Sequence, residues 1–267
     1  MTEFQKQLLM NGIIAGLGIP VIGTVLGASC VFFIKDKINP SMNKALLGFA
    51  AGVMVAASIW SLLIPAMEMS APKGFMKIFP SVVGFVLGMG FLLLLDILTP
   101  HQHVTETQSE GPRSNLSKST KLVLAITLHN IPEGMAVGAA LSAVMEQSHF
   151  VGMASAIALS IGMGIQNFPE GAIVSMPLLS AGNSRIKSFI IGALSGLVEP
   201  IAAIITILLT SIILPGLPYL LSFAAGAMMY VVVEELIPET QSGDHSNIGT
   251  IGFCIGFIIM MILDSVL

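Results

Sequence analysis

Eight apolar runs, each long enough to cross a bilayer as a helix, leave this chain few ways to fold. A spanning helix needs about 20 apolar residues. The runs cover roughly 7–34, 44–69, 79–99, 121–145, 150–180, 187–214, 217–239 and 247–267. In hydrocarbon every backbone polar group must be satisfied within the protein, so such runs form helices. Hydrophobic residues make up 54% of the 267 positions and charged residues only 10%; soluble domains carry about 25% charged residues. The expected fold is therefore all-α and integral to a membrane, one transmembrane domain over residues 1–267. The first run has one lysine ahead of it, Lys6, and extends to about residue 34. That is too long for a signal-peptide core and reads as a retained span. In the fifth run Pro169 and Pro177 are expected to interrupt the helix, with the polar end leaving the membrane. The net charge of −4 gives no basic footprint for a nucleic acid. Cys30 and Cys254 lie far apart in apolar runs and need neither a disulfide nor a metal.

Direction follows from the basic residues. Lys35, Lys37, Lys44, Arg113, Lys118, Lys121, Arg185 and Lys187 fall in the loops after runs one, three and five; only Lys6, Lys73 and Lys77 fall on the other side. The first set is expected in the cytoplasm and both termini outside it. The expected location is the cell (inner) membrane. The longest polar loop, about 100–120, is rich in Ser and Thr and is expected to be cytoplasmic and flexible.

Two motifs recur. HNIPEG at 129–134 returns as QNFPEG at 166–171, and FAAGVM at 49–54 returns as FAAGAM at 223–228. The second pair continues to Ile64-Pro65 and Ile237-Pro238, with a one-residue gap between the copies. The members of each pair run in opposite directions through the membrane, and inverted repeats with Gly/Pro-interrupted helices mark transporters. The competing reading of FAAGxM alone is a generic small-residue packing stripe.

Glu133, Glu170 and Glu199 lie deep in runs four, five and six. An ionised carboxylate there costs roughly 2.5–3.5 kcal/mol even on the lenient insertion scale. No Lys or Arg lies deep enough to pair with them, so the missing charge is a bound cation, protons or both. His129 and Glu133, four residues apart, share a helix face about 6 Å apart along the axis; Gln166 and Glu170 repeat the spacing. Pro132 and Pro169 leave the carbonyls of Leu128 and Ile165 without their helical donors. Imidazole with carboxylates suits Zn²⁺, Fe²⁺, Co²⁺ or Mn²⁺ better than Na⁺ or K⁺. No thiolate joins them, so a tight structural zinc cage is not expected.

HNIPEG, QNFPEG and SGLVEP resemble the fourth, fifth and sixth helices of the ZIP (Zrt-/Irt-like) metal transporters. FAAGVM and FAAGAMMYVVVEELIPE resemble the second and seventh helices of its GufA-like bacterial branch. The resemblance covers nearly the whole chain. It implies eight helices in a 3+2+3 inverted repeat, outward termini, a cytoplasmic loop between helices three and four, and a two-metal site. By motif, His129, Glu133, Gln166 and Glu170 would bind the first metal. Asn130, Asn167 and Glu199 would bind the second, with Glu133 and Glu170 shared. Some relatives have Asp or His where this chain has Asn167; the amide removes a charge from the second position.

Other polar residues suggest a path. Glu68 and Asp264 are expected to attract a cation on the outer side, and Asp96, His101, His103, Glu235 and Glu239 to receive it on the inner side. Of the adjacent Glu234 and Glu235, about 100° apart on a helix, Glu235 is the favoured one. Met54, Met228 and Met229 read as packing residues. No GxxxxGK[ST] loop is present to bind ATP. The expected function is transport of divalent transition-metal ions, zinc foremost, into the cytoplasm, with the metal as substrate and no catalytic cofactor. The expected partners are metal ions and the bilayer, with a homodimer as one candidate assembly. Two other classes compete: an intramembrane metalloenzyme, which would be expected to show HExxH, and a proton-coupled carrier of an organic solute.

Overall fold

A computed structural model describes residues 3–33, 39–70, 74–100, 112, 118–145, 151–212, 216–243 and 245–267. The described chain is almost wholly helical, in eight rods. The first is α1 (Glu3–Ala28), continued by a 3-10 turn, Ser29–Phe32. The second runs from α2 (Pro40–Ala57) through a π turn, Ser58–Leu63, into α3 (Ile64–Glu68). Single helices follow: α4 (Phe75–Leu98), α5 (Lys118–Met145) and α6 (Met153–Ser180). The sixth rod is broken into α7 (Arg185–Ser195) and α8 (Val198–Ile212). The seventh runs from α9 (Leu217–Val231) through a second π turn, Val232–Leu236, into α10 (Ile237–Gln241). The last is α11 (Ile248–Val266). By length and hydropathy six rods qualify as membrane spans among the described residues; α5 and α6 are not among them. Those two carry the polar motifs, and α6 is largely buried by its neighbours. Elsewhere large apolar side chains such as Leu87, Ile201 and Leu208 lie exposed on the outside of the bundle, as lipid contact requires.

Local signals set several helix starts. The Asn39 side chain accepts the Ser41 N–H at 2.9 Å and Pro40 opens α2, since proline's fixed φ suits a first turn. Ser184 caps α7 by accepting the Lys187 N–H at 3.3 Å. Arg185 donates to the carbonyls of Val31 and Phe32 at 2.6 and 2.9 Å, tying the start of α7 to the end of the first rod.

The rods pack as four intimate pairs: α1 with α6, α5 with α8, α2 with α11, and α4 with α9. Each seam has a glycine laid on its partner's backbone: Gly23 on Gly164, Gly138 on Ala203, Gly52 on Phe253 and Gly88 on Phe223. Small residues drive helix association in lipid because apolar contact alone gives no advantage there. Exchanging rods one and six, two and seven, three and eight, and four and five maps this set of pairs onto itself, as a 3+2+3 inverted repeat requires.

The FAAGVM and FAAGAM repeats lie in these seams. Gly52 packs on α11 and Gly226 on Phe85 of α4, while Met54 and Met228 are fully buried. Phe49 to Ala57 and Phe223 to Val231 are each nine residues of α-helix. The π turns that follow contain six and five residues. The one-residue gap between the copies therefore falls in the π turns. Both turns lead into Ile-Pro; a widened turn eases the clash of a proline ring with the preceding turn.

In the fifth rod the expected interruption does not occur. α6 continues through Pro169 and Pro177 to Ser180 and ends beyond it, where Gly182 takes φ 91°. Each proline removes one backbone hydrogen bond but keeps a helical φ, and packing against α1 holds the rod together. The sixth rod reads as continuous yet breaks at Gly196-Leu197, immediately before Glu199.

Candidate metal centre

The two PEG helices, α5 and α6, pack against each other at the centre of the bundle. His129, Asn130, Glu133, Gln166, Asn167 and Glu199 are all buried, and Glu170 is partly accessible. The glycines after the glutamates allow this approach. The Gly134 Cα faces the Glu199 backbone of α8, and Gly171 faces the Thr24 carbonyl of α1. A side chain at Gly134 would separate α5 from α8, and one at Gly171 would separate α6 from α1.

These groups form a polar column across the bundle. Glu133 faces Glu170, Glu199 and Gln166. Glu133 Oε2 and both amide atoms of Gln166 are buried and have no well-aligned hydrogen-bond partner among the described residues. Buried polar atoms are normally satisfied, so this part of the column is built to receive something. The Asn130 amide lies between two carboxylates. In one orientation its nitrogen is 3.3 Å from Glu199 Oε1; turned over, it is 3.2 Å from Glu170 Oε2. Glu199 also accepts from Asn167 Nδ2 at 2.7 Å and lies 3.4 Å from the Thr24 hydroxyl.

At the other end of the column His129 Nε2 is 2.5 Å from Glu235 Oε1. Asp96 completes this group: ligand atoms of Asp96, His129 and Glu235 all lie within 4.8 Å of one another. The Tyr230 hydroxyl donates to Asp96 Oδ2 at 2.6 Å. The π turn Val232–Leu236 presents Glu235 to His129, while Glu234 is exposed. His129 thus stands between two acidic groups, Glu170 on one side and Glu235 on the other.

The remaining expected path residues are dispersed. Asp264 Oδ1 accepts from Ser61 at 2.6 Å, at the first π turn. Glu68 is exposed at the end of α3. Glu239 is buried in α10, which packs on α2. His101 and His103 lie outside the described residues, as do Lys35, Lys37, Lys73 and Arg113. Cys30 and Cys254 are free thiols. Thr24, Tyr230 and Ser61 escaped the sequence reading. The available signals were faint: a threonine four residues after Pro20 in an apolar run, and one of only two tyrosines.

The donors assembled here are carboxylates, amides and one imidazole. They can bind a divalent cation and release it, and among the described residues no Lys or Arg side chain stands within the column. Comparison with known proteins agrees with this chemistry. The family model described as ZIP zinc transporter matches residues 96–264. The zinc transporter ZIP11 of Homo sapiens is 35% identical over 90% of this chain and 93% of its own length. The zinc transporter GufA of Myxococcus xanthus is 30% identical, over 95% and 97%. The zinc transporter ZIPB of Bordetella bronchiseptica is 34% identical, over 91% and 77%. The chain belongs to the ZIP family of metal transporters.

Proposed function

We propose that this protein carries divalent transition-metal ions, zinc foremost, into the cytoplasm, and that the ion is held between the two PEG helices by Glu133, Glu170, Gln166 and His129. One observation carries the reading. Glu133 and Gln166 present buried atoms with no well-aligned hydrogen-bond partner next to a second carboxylate, and among the described residues no Lys or Arg side chain balances them. A metal ion supplies both the charge and the missing bonds, and oxygen with imidazole suits zinc, iron, manganese or cobalt. The zinc transporters among its relatives add to the case for zinc. The excess of Lys and Arg in alternate loops favours cytoplasmic delivery and outward termini. On that orientation Glu68 and the Ser61–Asp264 pair stand on the outer side. Asp96, Glu235 and Glu239 stand toward the cytoplasm, the side on which the sequence puts His101 and His103, and the Asp96–His129–Glu235 group is the next position after the deep carboxylates.

The test is metal uptake by the purified protein in liposomes, over a panel of divalent ions. Uptake of zinc is expected. Glu133→Ala and Glu170→Ala are each expected to abolish it while the protein still expresses. Uptake above half of wild type in either variant overturns the assignment of these residues.

A further inference from the structure

The two metal positions implied by the family resemblance differ in how their carboxylates are supplied with donors. Around Glu133 three buried atoms, Glu133 Oε2 and the two amide atoms of Gln166, have no well-aligned hydrogen-bond partner among the described residues. Around Glu199 the carboxylate is already supplied with donors. Oε2 accepts from Asn167 Nδ2 at 2.7 Å. Oε1 lies 3.4 Å from Thr24 Oγ1 and, in one of the two orientations of the Asn130 amide, 3.3 Å from its Nδ2.

The orientation of Asn167 is set by two acceptors. The same NH₂ group that meets Glu199 also lies 3.3 Å from the Pro20 carbonyl of α1. The other atom of that amide, Oδ1, is buried and has no hydrogen-bond partner among the described residues. A metal ligand must direct a lone pair at the ion, whereas an amide NH₂ offers only hydrogens. To bind a cation beside Glu199, Asn167 must turn over and give up both bonds. Thr24 is equally constrained. Gly171 lies against its carbonyl, and a Cβ at Gly196 would fall 2.7 Å from its hydroxyl.

We propose that in this chain the position formed by Asn167, Glu199 and Thr24 is a hydrogen-bonded brace and not a second metal position, so that the transport centre holds one divalent ion, beside Glu133 and Glu170. Asn167 is then a positioning residue for Glu199. It joins α6 to α8 and, through Pro20, to α1. Asn130 links the brace to the metal position, because its amide reaches either Glu199 or Glu170. The inference rests on the reading of the chain as a metal carrier.

Cd²⁺ is the probe. Anomalous diffraction from crystals of the purified protein grown with Cd²⁺ locates the ions, and equilibrium dialysis counts them per chain. Wild type is expected to show one peak between α5 and α6. Asn167→Asp replaces the NH₂ with a second carboxylate and is expected to add a peak beside Glu199, raising the count by one. The double variant Asn167→Asp/Glu199→Gln is expected to lose that added ion. If Asn167 had only a structural role, its replacement by Asp would leave the count at one. A second peak beside Glu199 in wild type overturns the brace, and so does a single peak in Asn167→Asp. Zinc uptake in liposomes is measured on the same wild-type preparation. Uptake with two peaks overturns the brace alone; no uptake and no peak overturns the carrier reading and the brace with it.

Discussion

Gly134→Ala tests whether helix contact sets the metal centre. A Cβ at Gly134 would meet the carbonyl oxygen of Glu199, and would lie 2.8 Å from both the Glu199 carbonyl carbon and its Cα. All three atoms are backbone, so no side chain can rotate away and α8 itself must move. Overpacking of this kind costs about 1–3 kcal/mol. The shift also carries Glu199 away from Glu133 and Asn130, so uptake should fall together with stability. Gly90→Ala is the control, because nothing lies within 4 Å of its Cβ; there the change should be neutral or stabilise by about 0.5–1 kcal/mol, since glycine weakens helix interiors. The assay is thermal unfolding in detergent beside zinc uptake in liposomes. Gly134→Ala should melt several degrees below Gly90→Ala and transport more slowly. Equal melting temperatures and equal uptake would refute the argument that this seam positions the site.

Metal affinity should fall as pH drops from about 8 to 5, because carboxylates and imidazole must shed protons to bind metal; equilibrium binding in detergent reads this, and a flat profile in wild type would remove the linkage. His129→Ala run in parallel assigns the protons: a slope that survives unchanged belongs to the glutamates. Glu235→Ala removes the carboxylate 2.5 Å from His129 and should weaken zinc binding about 10–100-fold, the usual loss when a ligating histidine loses its outer partner; titration with unchanged affinity would detach Glu235 from the centre.

Six spans were legible because apolar runs of bilayer length are long, unambiguous signals. HNIPEG and QNFPEG were legible because a deep glutamate beside a proline is costly and appears twice. What escaped depends on packing between helices remote in sequence. Thr24 matters because α1 lies on α6 and brings its hydroxyl toward Glu199 of α8; nothing around residue 24 announces that. Tyr230 acquires its role from Asp96 on another rod. The break at Gly196-Leu197 was hidden because Ser-Gly-Leu-Val continues the apolar pattern. The prolines of α6 misled in the other direction: a proline weakens a helix locally, but neighbouring helices held this one through both. Local sequence also could not tell a π turn from the α-helix on either side of it. Only the gap between the repeats hinted that one copy accommodates an extra residue.

The pairing of the rods also dictates an order of assembly. None of the four intimate pairs joins helices that follow one another in the chain. α1 must wait for α6, α5 for α8, α4 for α9, and α2 for the last helix of all. From the end of α2 at Ala57 to the start of α11 at Ile248 the ribosome must advance 248 − 57 = 191 residues. At about 5–20 residues per second that takes roughly 10–40 s. Through that interval the glycine face of α2 has only lipid, or a temporary partner, to lie against. The bundle therefore closes from its C-terminal end, and a nascent chain halted before residue 248 leaves α2 without the helix that completes it.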